Sequence, residues 1–155
     1  MLRVRTFLSG SHVHGLGLFA DEDIKQGDVI WSFTPGMDQV FGPRKLISTC
    51  RDMDEEAMRY LCGHIYKRNN RYYLLSDNAR FINHSDTDCN IAMVDEMTEV
   101  ATRDIFAGQE LLENYFISYD NDDPFFFEIN GICVDKFLSM TKKERRILAQ
   151  GKDIS

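Results

Sequence analysis

The chain is short of several things, and each shortage removes a class of function. It has no run of about 18 apolar residues, so no membrane-spanning helix is expected. Its first residues, Met1-Leu2-Arg3-Val4-Arg5, lack the apolar core of a signal peptide. Cysteine is scarce: Cys50, Cys62, Cys89 and Cys133 are widely spaced and form no Cys-x-x-Cys pair, which argues against a disulfide framework and for free thiols in a reducing compartment. His12-x-His14 and Cys62-x-His64 are too tightly spaced for common zinc sites, so no metal is expected. There is no Gly-x-Ser-x-Gly elbow of a hydrolase, no Gly-Lys-Ser/Thr phosphate loop, and no third glycine to complete a dinucleotide fingerprint. Repeats and low-complexity linkers are absent too.

Basic charge is also short over most of the length. The net charge is −7. The first 135 residues hold 12 basic and 23 acidic groups, while positions 136–155 carry an excess of Lys and Arg. An acidic body repels phosphates, so direct nucleic-acid binding is not expected; it suits a basic, lysine-containing protein or peptide. Solubility alone would explain the same charge. A length of 155 residues, 43% hydrophobic, is enough for one domain with its own core.

What is present reads as many short strands with a helical insert. Val4–Leu8 is a short, partly alternating stretch, and Gly17–Ala20 and Val29–Phe33 are apolar and bounded by Gly, Asp and Pro, with a turn at Lys25-Gln26-Gly27-Asp28. Positions 43–66 change to helical spacing through Leu46, Ile47, Cys50, Met53, Met58, Leu61, Cys62 and Ile65, as one broken helix or two short ones. Pro43 suits a first helical turn and Asp54-Glu55-Glu56 opens the second half. Lys67–Arg71 is a polar hairpin turn before a strand at Tyr72–Leu75. Ile91–Val94 and Glu99–Ala101 read as another hairpin, and Leu111-Leu112 as a last strand. After Asp135 the tail looks helical, with a capping box starting at Thr141. The class is α+β, mostly β. The expected division is a domain over 1–120, with its insert at about 43–66, and a closing segment with a C-terminal helix over 121–155.

Three stretches carry chemistry: His14-Gly15-Leu16-Gly17, Arg80-Phe81-Ile82-Asn83-His84-Ser85 through Asn90, and Glu110-Leu111-Leu112-Glu113-Asn114-Tyr115. Taken singly they are ambiguous. The first reads equally as a plain hairpin turn, His84 as a satisfied core histidine, and Tyr115 as a core aromatic. In this order they resemble the SET-domain family of protein lysine methyltransferases, over about three quarters of the chain. The resemblance implies several small antiparallel sheets around a knot-like C-terminal threading. It implies S-adenosylmethionine as cofactor, held by His14, Gly15, Leu16, Gly17, Arg80, Phe81, Asn83 and His84. It places Tyr115 as the catalytic residue, its hydroxyl beside the transferred methyl. The substrate would be the lysine amine of a basic, histone-like protein, in an intracellular setting, cytoplasmic or nuclear with the host. A homodimer that completes the groove is also open.

The chain departs from that family at several positions. Asp86 follows Ser85 where Cys is usual, and Asp88-Cys89 precede Asn90 in a loop one residue longer and without its Pro. Asn114 stands where Asp is usual, and Glu113 where Phe or Tyr influences how many methyls are added. Glu113 could hold a lysine ammonium in the channel or face solvent. Tyr66 and Tyr73 are candidate channel walls, able to attract an ammonium through their ring faces, or simple core residues. Only Cys133 follows Tyr115, so the family's Cys-x-Cys zinc closure is missing there. Phe126, within Asp122-Asp123-Pro124-Phe125-Phe126-Phe127, is the candidate replacement. Two alternatives remain: a non-catalytic SET-like module that binds a basic peptide or the cofactor, and methylation of a group other than lysine.

Overall fold

Short β-branched and aromatic runs between glycines and acidic turns become short strands. In chain order the elements are β1 (Thr6–Gly10), β2 (Leu16–Ala20), β3 (Val29–Ser32), β4 (Gln39–Phe41), α1 (Pro43–Cys50), α2 (Glu55–His64), β5 (Ile65–Arg68), β6 (Arg71–Leu74), a 3-10 helix (Asn78–Phe81), β7 (Asn83–His84), β8 (Ile91–Asp95), β9 (Thr98–Ala101), β10 (Leu112–Glu113) and α3 (Tyr115–Ser118). This computed structural model describes residues 1–50 and 53–120. The expected C-terminal helix and its capping box at Thr141, together with Phe126 and Cys133, lie outside the described residues. The first strand begins at Thr6, two residues later than its pattern suggested. The helical insert is two helices, the second capped by Asp54, whose carboxylate accepts from Ala57 N at 2.8 Å.

The chain divides into two compact units. The second comprises Val40–Leu74, joined among the described residues by Tyr119 and Asp120. Here β4, β6 and β5 form a three-stranded sheet, and Phe41, Leu46, Cys50, Leu61 and Ile65 form the core, with Met53, Tyr72 and Leu74 packed on it. The β5–β6 hairpin turns at Asn69 and Asn70, both at positive φ (49° and 57°), a conformation Asn tolerates better than most residues. Asp120 accepts from the backbone N–H of both, at 2.8 Å each.

The first unit comprises Met1–Gln39 and Leu75–Ser118. One sheet is the β1–β2 hairpin, in which Leu8 faces Leu18 and the partnered rings of Phe7 and Phe19 stack at 5.6 Å. The other has five strands in the order β3-β9-β8-β10-β7. Leu18, Ile24, Ile30, Trp31, Ile91, Ile105 and Leu111 are buried in this unit.

The resemblance implied antiparallel sheets, but part of the pairing is parallel. β7 and β8 are consecutive strands, yet β10 lies between them and runs parallel to both, pairing Leu112 with Asn83, and Glu113 with His84 and Ile91. This insertion of a late strand between two earlier ones is the knot-like threading. Asn90 holds it. Its amide donates to Glu110 O at 2.8 Å, its side-chain oxygen accepts from Leu112 N at 2.9 Å, and its backbone N–H donates to Leu112 O at 2.9 Å. The side chain thus acts as one more peptide unit along the inserted segment. Ser85 N donates to Glu113 O at 3.0 Å on the other flank.

Asp38 organises the opposite edge. It is buried, and accepts from Thr34 N at 2.9 Å, Ser76 N at 3.1 Å, and the Met1 ammonium at 3.0 Å. Burial alone would raise its pKa, but the N–H donors of Ser76 and Thr34 and the ammonium outweigh it and hold the carboxyl below the ordinary 3.8.

Two measurements check these contacts. Asn90→Ala takes the partner from two part-buried backbone groups, Glu110 O and Leu112 N, and should cost about 1–3 kcal/mol in urea unfolding; a change below about 0.5 kcal/mol would remove the clamp. For Asp38 the folded pKa is the depressed one, so its contribution is fully present above 3.8 and is lost as pH falls through the folded value. Asp38→Asn should therefore melt below the parent at pH 7, with the gap closing as the pH falls below 3.8.

Candidate functional site

The threading brings the Asn-His pair beside the turn that joins β1 to β2. Ser11 N donates to Gly15 O at 2.9 Å, closing the loop, and Ser11 Oγ accepts from Val13 N at 2.9 Å and His14 N at 3.3 Å. Gly15 has a φ of 48° and opens on space where an added Cβ would meet nothing within 4 Å. Gly17 is buried for the opposite reason: a Cβ there would lie 2.1 Å from Glu110 Oε1. One glycine supplies a backbone conformation; the other supplies room.

The amide of Asn83 ties this turn to the threaded strand. Its two N–H groups are shared among three acceptors, His14 O and Leu16 O, both at 3.1 Å from Nδ2, and Glu110 Oε1 at 2.9 Å. All three partners are acceptors, so only the NH₂ group fits this position. His84, next along β7, accepts from Tyr115 N at Nδ1 over 3.1 Å. An imidazole that accepts at Nδ1 carries its proton on Nε2. Its ring lies 5.3 Å from that of Tyr115 and meets Phe116 edge-on at 4.8 Å. The Tyr115 hydroxyl donates to Ile82 O.

Six residues singled out in the sequence therefore gather with Tyr115: His14, Gly15, Leu16, Gly17, Asn83 and His84. Arg80 and Phe81 sit on the 3-10 helix that leads into β7, with the guanidinium 5.3 Å from the Phe81 ring centre. Glu113 is 2% exposed, so its carboxylate does not face solvent, and it shares the inward face of the inserted segment with Leu111. Tyr66 and Tyr73 belong to the second unit. They are register partners on β5 and β6, stacked at 5.1 Å, with Tyr119 on the other face of Tyr66 at 4.7 Å. Phe126 is outside the described residues. Sequence reading missed Ser11, Ile82, Asn90 and Glu110 as site-building residues. Glu110 had a signal, since it opens the stretch that ends at Tyr115. Among the described residues no three His, Cys, Asp or Glu side chains group to hold a metal, and no helix is long and apolar enough to cross a membrane.

The family model described as SET domain matches residues 15–116, from the glycine turn to just past Tyr115. The chain belongs to the SET-domain family. Solved structures agree on the fold. A humanized mutant of the Chaetomium thermophilum Polycomb Repressive Complex 2, bound to an inhibitor, is 26% identical with a TM-score of 0.54, over 76% of this chain and 16% of that one. The structure of ctPRC2 in an autoinhibited conformation bound to S-adenosylmethionine is 24% identical at 0.56, over 84% and 17%. A ctPRC2 structure in complex with H3K27me3 and H3K27M is 25% identical at 0.51, over 72% and 14%. This SET protein thus spans about one sixth of each of those Polycomb chains. No curated protein sequence matches it.

The Asn83 geometry gives a discriminating test. Asn83→Asp would set a carboxylate against two carbonyls and Glu110, whereas Asn83→Ala only removes donors. In thermal melts at pH 7 Asn83→Asp should fall further than Asn83→Ala, and the difference should shrink as acid protonates the new carboxyl. Equal melting of the two would mean the amide does not face these acceptors.

Proposed function

We propose that this SET-domain protein transfers a methyl group from S-adenosylmethionine to the side-chain amine of a lysine in a basic, histone-like protein. The observation that carries the reading is the junction of three sequence-distant pieces: Asn83 bonded to the His14–Leu16 turn, and His84 bonded to Tyr115. S-adenosylmethionine in one case, and H3K27me3 and H3K27M in another, are bound in Polycomb complexes of the same fold. The acidic balance of the first 135 residues suits the same kind of substrate. The proposed setting is intracellular, nuclear or cytoplasmic with the host.

The residues present fit the cofactor. The turn at Gly15 leaves main chain uncovered, and glycine lets a ligand approach it closely. His14, Gly15, Leu16 and Gly17 would hold the cofactor's amino-acid end through main-chain atoms, with Asn83 and His84 beside them. When bound, S-adenosylmethionine supplies an electrophilic methyl on a positively charged sulfur. Tyr115 acts through position. Its backbone is tethered to His84 and its hydroxyl to Ile82 O, so the oxygen is fixed before any substrate arrives. A fixed dipole needs no reorganisation during the displacement. The attacking lysine would have to arrive as the neutral amine, aligned with the methyl. Glu113, buried on the strand that leads to Tyr115, is proposed to bear on lysine capture or on how many methyls are added. Tyr66 and Tyr73 are proposed as channel walls.

The test is incubation with labelled S-adenosylmethionine and histones or a broad protein extract, with the mark located by mass spectrometry. Label on lysine supports the reading. Binding of basic peptides with no transfer to any protein would turn it to a binding module. Tyr115→Phe removes one hydroxyl and little volume, so fold and cofactor affinity should survive while turnover falls about 10²–10³-fold. Wild-type turnover by that variant would make Tyr115 a packing residue.

A further inference from the structure

We propose that Glu110 is a positioning residue that sets the shape of the cofactor turn through both of its carboxylate oxygens. This inference rests on the cofactor reading above. Oε1 accepts from Asn83 Nδ2 at 2.9 Å, and Oε2 accepts from Ser11 Oγ at 3.0 Å. Each of those donors is already committed to the turn. Asn83 holds the carbonyls of His14 and Leu16, and Ser11 Oγ accepts the N–H groups of Val13 and His14. The carboxylate accepts from both donors and so ties the two sets together. Its acceptor on one side keeps the Asn83 NH₂ turned toward the loop. Its acceptor on the other takes the Ser11 hydroxyl proton, which leaves the serine lone pairs for Val13 and His14.

The backbone leaves room for this carboxylate by having no side chain at Gly17. A Cβ at that position would sit 2.1 Å from Oε1 and 2.8 Å from Cδ, inside any contact distance. Glu110 itself is carried by the threaded segment, its carbonyl bonded to Asn90 Nδ2 and its backbone bridged to Phe19 on β2. The strand that delivers Tyr115 therefore also shapes the turn proposed to hold the cofactor. Glu110 and Tyr115 thus lie on one continuous segment, 110–115.

The effect should fall on cofactor binding, since Glu110 reaches the chemistry only through the turn. Glu110→Ala in the full chain should raise the KM for S-adenosylmethionine about tenfold, the loss expected for charge-assisted hydrogen bonds, with kcat at saturation within about twofold. Glu110→Gln should be intermediate. Its carbonyl still accepts from Asn83, but its NH₂ must donate to a serine oxygen already accepting twice. A general loss of structure would lower the melting temperature and kcat together and show no such order.

A second readout needs no cofactor. Hydrogen exchange of the peptide covering 11–17 should speed up in Glu110→Ala and in Gly17→Ala, whose Cβ displaces the carboxylate. The double variant should fall well short of the sum of the two, since only the milder contact of the new Cβ with Ser11 Cβ, at 3.1 Å, survives the loss of the carboxylate. Unchanged exchange over 11–17 in Glu110→Ala, or additive effects in the double variant, would overturn the proposal. A wild type that binds no S-adenosylmethionine would sink the cofactor reading, while exchange would still decide what Glu110 does to the turn.

Discussion

The insertion of β10 between β7 and β8 is the constraint on which the first unit depends. It sets a two-residue strand between two others, and two-residue strands have little pairing energy of their own. The deficit is made up by side chains that imitate backbone. Asn90 bonds the inserted segment through its amide nitrogen, its amide oxygen and its own N–H, all at 2.8–2.9 Å. Buried backbone polar groups must find partners, and here a carboxamide provides them where sheet ladders are too short.

That arrangement explains why the site residues come from distant parts of the chain yet sit in one place. β7 presents Asn83 and His84 as neighbours, whose side chains serve different partners. Asn83 reaches the β1–β2 turn; His84 reaches the backbone of Tyr115. β10 runs in register with the same two residues, so the chain that leaves it arrives at Tyr115 with no freedom to drift. Pre-organisation of this kind matters most for a reaction in which alignment does most of the work.

Part of this was legible in the sequence. The Asn69-Asn70 turn, the Asp54 cap and the glycines of the first loop are local signals, because their backbone conformations are set by the residues themselves. The Asn-His and Glu-to-Tyr stretches were legible as a family pattern. The parallel pairing of β10 was not. Two residues hold no periodicity, and Leu112 meets Asn83 across 29 positions of chain. The burial of Glu113 followed from the same insertion. It lies two residues beyond Leu111 and so faces the same way, into the interior, where composition alone would have put a carboxylate in water.

The two glycines of the first loop show how far spacing can be read. Both stand in one short motif, and a sequence reader gives them one purpose, close approach of a ligand. The structure separates them. Gly15 answers to its own φ and looks onto open space, so its constraint is local and could be guessed. Gly17 answers to Glu110, a residue 93 positions later, and no local rule predicts it. One condition is written into the turn and the other is imposed by the threaded segment, and they fall two residues apart.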